Sequence, residues 1–453
     1  MNRRSFMKDS ASAGMTAGLT AGMAVAATGE GSAASDKMVV GLMGCGGRGT
    51  YLISRFANRA DVSVKYVSDA DQRRLGRAAE AVGGATGKTP QGITDFRKML
   101  DDPEVDIIVN ATPDHWHGLG TVWACQAGKH VYVEKPVSHN IWEGRKMVEA
   151  ARKYKRIVQA GMQNRSADYV QHAADLVQSG KLGVVHTVRV HQMVGNVSRI
   201  KRSQAADQEL PPVRPVPEEF DYDMYCGPGP MIPFRSTSLM KQQFDYAAGA
   251  IPDDAVHQLD VARWLIGKRY PRTVHHAGGV LVAKDGREAQ DTQAITYEFD
   301  NILMVMQGST VTPTLSKTPN SIRDGDAFPE WLFSSTRIEL YGTEAMMLLS
   351  RQGGGWQIYG PGGALATQEY GRHQTDEHID NFIKCIHSDE LPNGDIEEGH
   401  LSAALCHLGN ISYHVGNRAL CFDGDTETFA DDPEANKLVK REYRKPWVIP
   451  DEV

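Results

Sequence analysis

Between residue 37 and about residue 165, apolar positions come as short, nearly continuous runs separated by stretches with helical spacing. Residues 39–43, "VSVKYVSD" ending at Asp69, "VDIIVNATP" (105–113), "KHVYVEKP" (129–136) and "RIVQAGMQ" (156–163) have the length and β-branched content of buried strands. The intervening stretches set Leu52, Ile53 and Phe56 on one helical face, and Met147, Val148, Ala151 and Tyr154 on another. Asn140 and Glu143 have capping-box spacing. Strands alternating with helices in this way predict an α/β fold built on a doubly wound parallel sheet.

Beyond about residue 165 the rhythm changes. "VHTVRVHQM" (185–193), "TQAITYEFD" (292–300), "ILMVMQG" (302–308), "TRIELYG" (336–342) and "GGWQIYG" (354–360) read as strands, with a hairpin-like turn at Asp300-Asn301. Sequential strands joined by turns predict a largely antiparallel sheet. Two helices accompany it: "HIDNFIKCI" aligns Ile379, Phe382, Ile383 and Ile386, and "LSAALCHLGNISYHV" aligns Leu401, Leu405, Leu408 and Val415. Residues 200–235 are polar and Pro-rich, which predicts an irregular arm or lid.

The first 35 residues are excluded from the fold. Arg3-Arg4 followed by Phe6 and Lys8, then a small-residue, mildly apolar run from Ala11 to Ala27, have the layout of a twin-arginine signal peptide. Cleavage is expected near Ala24-Val25-Ala26 or Ser32-Ala33-Ala34, and the destination is the periplasm or the exterior. The first cysteine, Cys45, lies too far on for a lipid anchor, and no membrane anchor is expected. A net charge of -7 offers no footprint for nucleic acid. Six scattered cysteines show no metal-like spacing, and disulfides are not expected in a chain that folds before export.

Three constellations carry chemistry. "GCGGRG" supplies Gly44, Gly46 and Gly49 between a strand and a helix, and Asp69 follows 20 positions on at the next strand end. Glycines there permit a tight turn and close approach of a pyrophosphate to the helix N-terminus. A carboxylate at Asp69 suits ribose hydroxyls and repels a 2′-phosphate, so NAD is favoured over NADP, with Arg73 and Arg74 nearby leaving NADP open. "GGATGKT" (83–89) is one residue short of a phosphate loop and is read as a plain loop.

Lys135 stands at the carboxyl end of a parallel strand, where doubly wound sheets place their ligands, and Pro136 behind it is a candidate for a cis bond. In "IPDDAVHQLDVARWLIG", Asp253, His257 and Asp260 are spaced to share a helical face. A carboxylate beside the His257 imidazole would orient it and raise its basicity. Asp114, His115 and His117 in "ATPDHWHG" are expected to rim the same crevice, and with no third ligand in reach no metal is expected.

Together, GCGGRG, ATPDHWH, VEKP, "DYDMYCGPGP", DxxxH at 253–257 and the closing "REYRKPWVIP" resemble the Gfo/Idh/MocA oxidoreductases, from about residue 37 to the C-terminus. The resemblance implies a Rossmann domain over residues 36–160 and a C-terminal α/β domain over 161–453, with a large, open, mostly antiparallel sheet. It implies NAD or NADP held by Gly44, Gly46, Gly47, Gly49, Asp69, Thr112, Pro113, His117, Glu134 and Lys135, and export in the folded state adds the expectation that the cofactor is tightly bound. Lys135 would contact substrate and nicotinamide, His257 would take the hydroxyl proton, and Asp253 would assist, although Asp254 duplicates that acid. The implied substrate is a small carbohydrate, a sugar or cyclitol, and the implied assembly a homo-oligomer, dimer or tetramer. A related branch cleaves glycosides with bound NAD. Cys226 replaces a usual Trp and Ala255 a usual Gly, both expected on the substrate pocket wall.

Overall fold

The computed structural model describes residues 37–205, 210–247, 249 and 251–453, so the leader expected over residues 1–35 lies outside the described residues. Six strands form the first sheet: β1 (Met38–Met43), β2 (Val62–Ser68), β3 (Gln91–Ile93), β4 (Ile107–Asn110), β5 (His130–Val133) and β6 (Val158–Ala160). All its pairings are parallel and the order is β3-β2-β1-β4-β5-β6. The order reverses between β1 and β4, which leaves a crevice beyond their carboxyl ends. Strands β4 and β5 are buried on nearly every residue because helices cover both faces of the sheet. Helix Ile141–Lys153 begins with half of the expected capping box: the Asn140 side chain accepts from the Glu143 amide, while the Glu143 carboxylate accepts from the His139 amide and not from that of Asn140.

The second sheet has ten strands in the order β14-β13-β12-β11-β7-β10-β9-β8-β15-β16. They are β7 (Val185–Met193), β8 (Thr273–Gly279), β9 (Thr292–Glu298), β10 (Leu303–Ser309), β11 (Arg337–Gly342), β12 (Met346–Ser350), β13 (Trp356–Tyr359), β14 (Leu365–Glu369), β15 (Leu420–Asp423) and β16 (Thr428–Phe429). The pairings are antiparallel except β7 with β10, which makes the sheet mixed. That parallel pair needs a long crossover, supplied by everything between residues 193 and 303, including helix Val256–Leu265. The turn between β9 and β10 closes with Phe299 N–H donating to Ile302 C=O at 2.9 Å.

Helix Ile396–His414 is buried on almost all sides, since it lies against β8, helix Ile141–Lys153 and helix Val256–Leu265. Its expected stripe is buried, but so are Ser402, His407 and Asn410. The GGATGKT stretch closes helix Gln72–Thr86, with Gly87 as a left-handed C-cap at φ 71°. Short helices at Val197–Gln204 and Tyr222–Cys226 enter the arm, a third follows it at Thr237–Met240, and the arm's other described residues are irregular. All six cysteines are free, five of them buried. Among the described residues no helix is long and apolar enough to cross a membrane.

Candidate active site and dinucleotide cleft

The fingerprint turn is built by two glycines that nothing larger could replace. Gly44 sits at φ +90°, and a Cβ there would lie 2.5 Å from the Ala111 carbonyl oxygen; one on Gly49 would lie 1.9 Å from the Gly44 carbonyl. Gly46 and Gly47 face open space at the start of helix Gly47–Ala57, as a pyrophosphate cradle requires. Asp69 is fixed beside it, accepting from the Cys45 amide at 2.8 Å and the Asp71 amide at 2.9 Å. Burial raises its pKa, while those two amide bonds and Arg74 pull it down.

A cleft of about 440 Å³ opens from this turn, lined by Gly44, Asp69, Arg74, Trp116, Met224 and Tyr225 among others, with Thr112 and Pro113 at its edge. Its lining, apolar at Trp116 and Met224 and charged at Asp69 and Arg74, suits the adenosine half of a dinucleotide. Arg73 points elsewhere, doubly bonded to Asp71 at 2.7 and 2.8 Å. The residues present therefore fit a dinucleotide.

At the other end of the crevice, the Lys135-Pro136 bond is cis, and the Lys135 ammonium meets the Asp253 carboxylate at 3.0 Å and the Asp253 carbonyl. Burial alone would lower the lysine's pKa, but Asp253, Asp254 and Glu134 outweigh it and hold it charged. Asp253 belongs to a wide π turn, Ile251–Ala255, that leads into helix Val256–Leu265. Lys135 holds its carboxyl below the usual range.

The expectation that Asp253, His257 and Asp260 act as one face is corrected here. The π turn directs Asp253 outward to Lys135, whereas Asp260 points inward, fully buried, to Arg165 at 2.8 Å and Ser402 at 2.7 Å. His257 is 8 % exposed, and its Nδ1 is buried without a hydrogen-bond partner. No carboxylate raises its basicity on balance. Burial, then Arg351 and Lys135, pushes its pKa well below the ordinary histidine value, opposed by Asp254. Asp254 itself is claimed by Arg351 at 2.5 Å, Lys317 at 2.5 Å and Gln192 at 2.6 Å. Of the duplicate acids, then, Asp253 touches Lys135, while Asp254 anchors Lys317 and Arg351, the second of which helps to hold the histidine neutral.

The histidines of ATPDHWHG also depart from expectation. Helix Asp114–Gln126 is buried on nearly all sides, so of Asp114, His115 and His117 only Asp114 stays partly exposed, close enough to Asp253 and Lys135 to feel their charges. His115 is fully buried, with Nε2 2.7 Å from the Tyr225 carbonyl and Nδ1 3.1 Å from the Tyr246 carbonyl. Burial lowers its pKa to about 3, so the ring is neutral and its one proton is assigned to Nε2, facing the nearer oxygen. His117 bridges the Thr112 and Pro136 carbonyls at 2.8 and 2.5 Å, so it ties the ATP turn to the EKP turn and does not itself face the cleft. Glu134 is buried too, and its carboxylate is taken by Arg48 of the fingerprint at 2.8 Å.

Sequence reasoning did not single out Arg48, Trp116, Tyr225, Lys317 or Arg351. Arg48 was legible as the charged residue inside the fingerprint. Arg351 and Lys317 come from distant segments and carry no local pattern. Cys226 is likewise corrected: it is fully buried in an apolar cluster with Phe220, Tyr225, Met240 and Tyr246, beside the adenosine end.

Two family models match this chain. One, described as an oxidoreductase family NAD-binding Rossmann fold, covers residues 38–162; the other, the oxidoreductase family C-terminal alpha/beta domain, covers 167–311 and 368–449. The chain belongs to the Gfo/Idh/MocA oxidoreductase family. Within that family, a myo-inositol 2-dehydrogenase of Thermotoga maritima is 23% identical over 381 residues, spanning 81% of this chain and 94% of the relative. A glycosyl hydrolase family 109 protein of Saccharopolyspora erythraea is 32% identical over 172 residues, 34% of this chain and 38% of that one. Among solved structures, an aldose-aldose oxidoreductase from Caulobacter crescentus complexed with glycerol has the same fold. Its TM-score is 0.60 at 18% identity, over 85% of this chain and 100% of that chain. The Gfo/Idh/MocA assignment makes the N-terminal domain a dinucleotide-binding Rossmann fold and the protein an oxidoreductase.

Proposed function

We propose that this Gfo/Idh/MocA protein is an exported enzyme that oxidises or reduces a CH–OH group of a sugar, cyclitol or related polyol. Its nicotinamide dinucleotide is tightly held, with NAD favoured because Asp69 stands where a 2′-phosphate would be repelled. One observation carries the reading: Lys135, at the carboxyl end of β5, meets Asp253 on the turn that presents His257. A bound nicotinamide supplies the hydride acceptor or donor. His257 is neutral near pH 7 because burial and cations oppose its protonation, so it is free to take a proton from a substrate hydroxyl. The charged Lys135 stabilises the oxygen from which that proton leaves. Asp254 lies close enough to favour the imidazolium that results.

The twin-arginine pattern at Arg3-Arg4 supports export in the folded state, to the periplasm or beyond. Free dinucleotide is not expected there, which favours a cofactor recycled in place. The glycosyl hydrolase likeness favours a second reading, cleavage of a glycoside by transient oxidation, elimination, water addition and re-reduction. Denaturing the purified protein and identifying the released nucleotide tests the core of the proposal. No nucleotide, and no binding of added NAD or NADP, overturns it. A panel of polyols and glycosides then separates the readings: the oxidoreductase changes near-ultraviolet absorbance lastingly, and the hydrolase releases free sugar without that change.

A further inference from the structure

One wall of the adenosine cleft does not come from the parallel sheet. Met224 and Tyr225 line it opposite Asp69 and Arg74, and both belong to the segment 219–229 of the arm. That segment is fastened along its whole length. At its start, Asp221 N–H donates to the Ala70 carbonyl at 2.9 Å and Gln72 N–H donates to the Glu219 carbonyl at 3.0 Å, directly after Asp69. In its middle, Trp116 Nε1–H donates to the Met224 carbonyl at 2.9 Å and His115 to the Tyr225 carbonyl at 2.7 Å. At its end, a single side chain, Arg444, donates to the carbonyls of Gly227 at 3.0 Å, Gly229 at 3.2 Å and Asp223 at 2.8 Å, and to the Asp223 carboxylate at 2.5 Å. Phe220 packs on the Tyr225 ring at 5.0 Å and on Phe234 at 5.7 Å, which stiffens the segment from above.

Among the described residues, nothing bonds to the Tyr225 hydroxyl. The cleft beneath it is apolar on the side of Met43, Phe96 and Trp116 and polar at Asp69 and Arg74. An adenine ring with its ribose has that same division, a flat apolar plate attached to vicinal hydroxyls.

We propose that segment 219–229 is a clasp that closes over the adenosine half of the dinucleotide, with Tyr225 as its contact and Arg444 as its latch. This inference rests on the dinucleotide reading above and names the element that makes the cofactor non-exchanging. Release requires the clasp to lift from residues 70–72, from His115 and Trp116, and from Arg444 together, because the segment is too short to peel from one anchor while keeping the others. Retention thus depends on a residue that does not line the cleft. Arg444 is a positioning residue; it acts through the carbonyls it holds.

The experiment is a dissociation rate. The full protein is loaded with NADH, then chased with excess NAD, and the loss of NADH fluorescence is followed in wild type, Tyr225→Ala, Arg444→Ala, Arg444→Lys and Arg418→Ala. Release at least tenfold faster in Tyr225→Ala and Arg444→Ala, an intermediate rate in Arg444→Lys, and an unchanged rate in Arg418→Ala is the expected result. Arg418 serves as the reference because its ion pairs are with Asp432 and Glu434. Should Arg444→Ala fail to fold, Tyr225→Ala and Arg444→Lys decide. Wild-type release rates in both overturn the clasp while leaving dinucleotide binding intact. A wild-type protein that binds neither NAD nor NADP overturns the function and the clasp together.

Discussion

The turn-and-helix segment 251–265 carries two aspartates seven residues apart, and they do opposite work. Asp253 is 74 % exposed at its side chain and meets Lys135 on the crevice. Asp260 is 1 % exposed and locked to Arg165, which is 5 % exposed and also reaches Glu398. The first pair gains modest stability, because water reaches the Asp253 carboxylate and screens it, although the Lys135 side chain is only 17 % exposed. In the second, each charge has lost its water and depends on the other. What separates them is direction: the π turn swings Asp253 out, while the regular helix turns Asp260 under. Residue type and spacing suggested one catalytic set; burial divides it into a site and a strut.

That division can be broken experimentally, and the expected effects run from the cleft inward and back. His257→Ala should lower kcat by about 10²- to 10⁴-fold, the range for a lost general base, with little change in nucleotide content, as read by steady-state kinetics and released nucleotide. Asp260→Ala should do the reverse. Leaving the buried Arg165 with the part-exposed Glu398 alone should destabilise the fold by up to about 3–5 kcal/mol, visible in denaturant unfolding, and any loss of activity should follow unfolding.

Acid should weaken the interior before it reaches the surface pairs. Burial depresses the pKa of His115 and of His407 to about 3, and that of His257 well below the usual value. An unfolded histidine titrates near ~6.5, so below that pH the unfolded chain binds protons that the fold refuses. Stability should be intact above about pH 6.5 and fall steadily as the pH drops toward about 3, checked by unfolding midpoints across that window. Least of all, Asp253→Asn should change stability by under about 1 kcal/mol, since water screens the Asp253 carboxylate and Lys135 keeps its bond to the Asp253 carbonyl. Its effect should be kinetic: the Lys135 ammonium loses the first of the charges that hold it protonated, and the alkaline limb of the rate profile should move to lower pH. Equal stability losses in Asp253→Asn and Asp260→Ala would erase the comparison.

Much of the first sheet could be read from the chain. Strands β1, β4, β5 and β6 are largely buried on both faces, and burial on both faces leaves continuous apolar runs that need no partner to be recognised. The fingerprint was legible for a related reason: Gly44 and Gly49 answer to local sterics within one turn. The second sheet was half legible. Strands β12 and β14 to β16 escaped notice because they are short or pair at an edge, and the parallel pairing of β7 with β10 is a tertiary choice that no local period records. His115 and His117 were misplaced because polar residues after a strand end usually face a crevice, whereas here the helix that carries them is enclosed and their partners are carbonyls from other segments. Arg351 is the clearest loss. It is buried against Asp254 from nearly a hundred residues away, and a lone arginine in a chain gives no sign of such a partner.

The adenosine cleft has a chronology written into it. Its floor comes from residues 43–116, its far wall from Met224 and Tyr225, and the fastening of that wall from Arg444. A ribosome delivers these parts in that order, hundreds of residues apart. The floor can assemble and meet a nucleotide while the wall is still unmade, and contacts that close such long loops are the slow ones in folding. If Tyr225 and Arg444 close the cleft as proposed, the growing chain would exchange its nucleotide freely until that wall is fastened. On that proposal, the last tertiary contact to form sets the moment at which exchange ends.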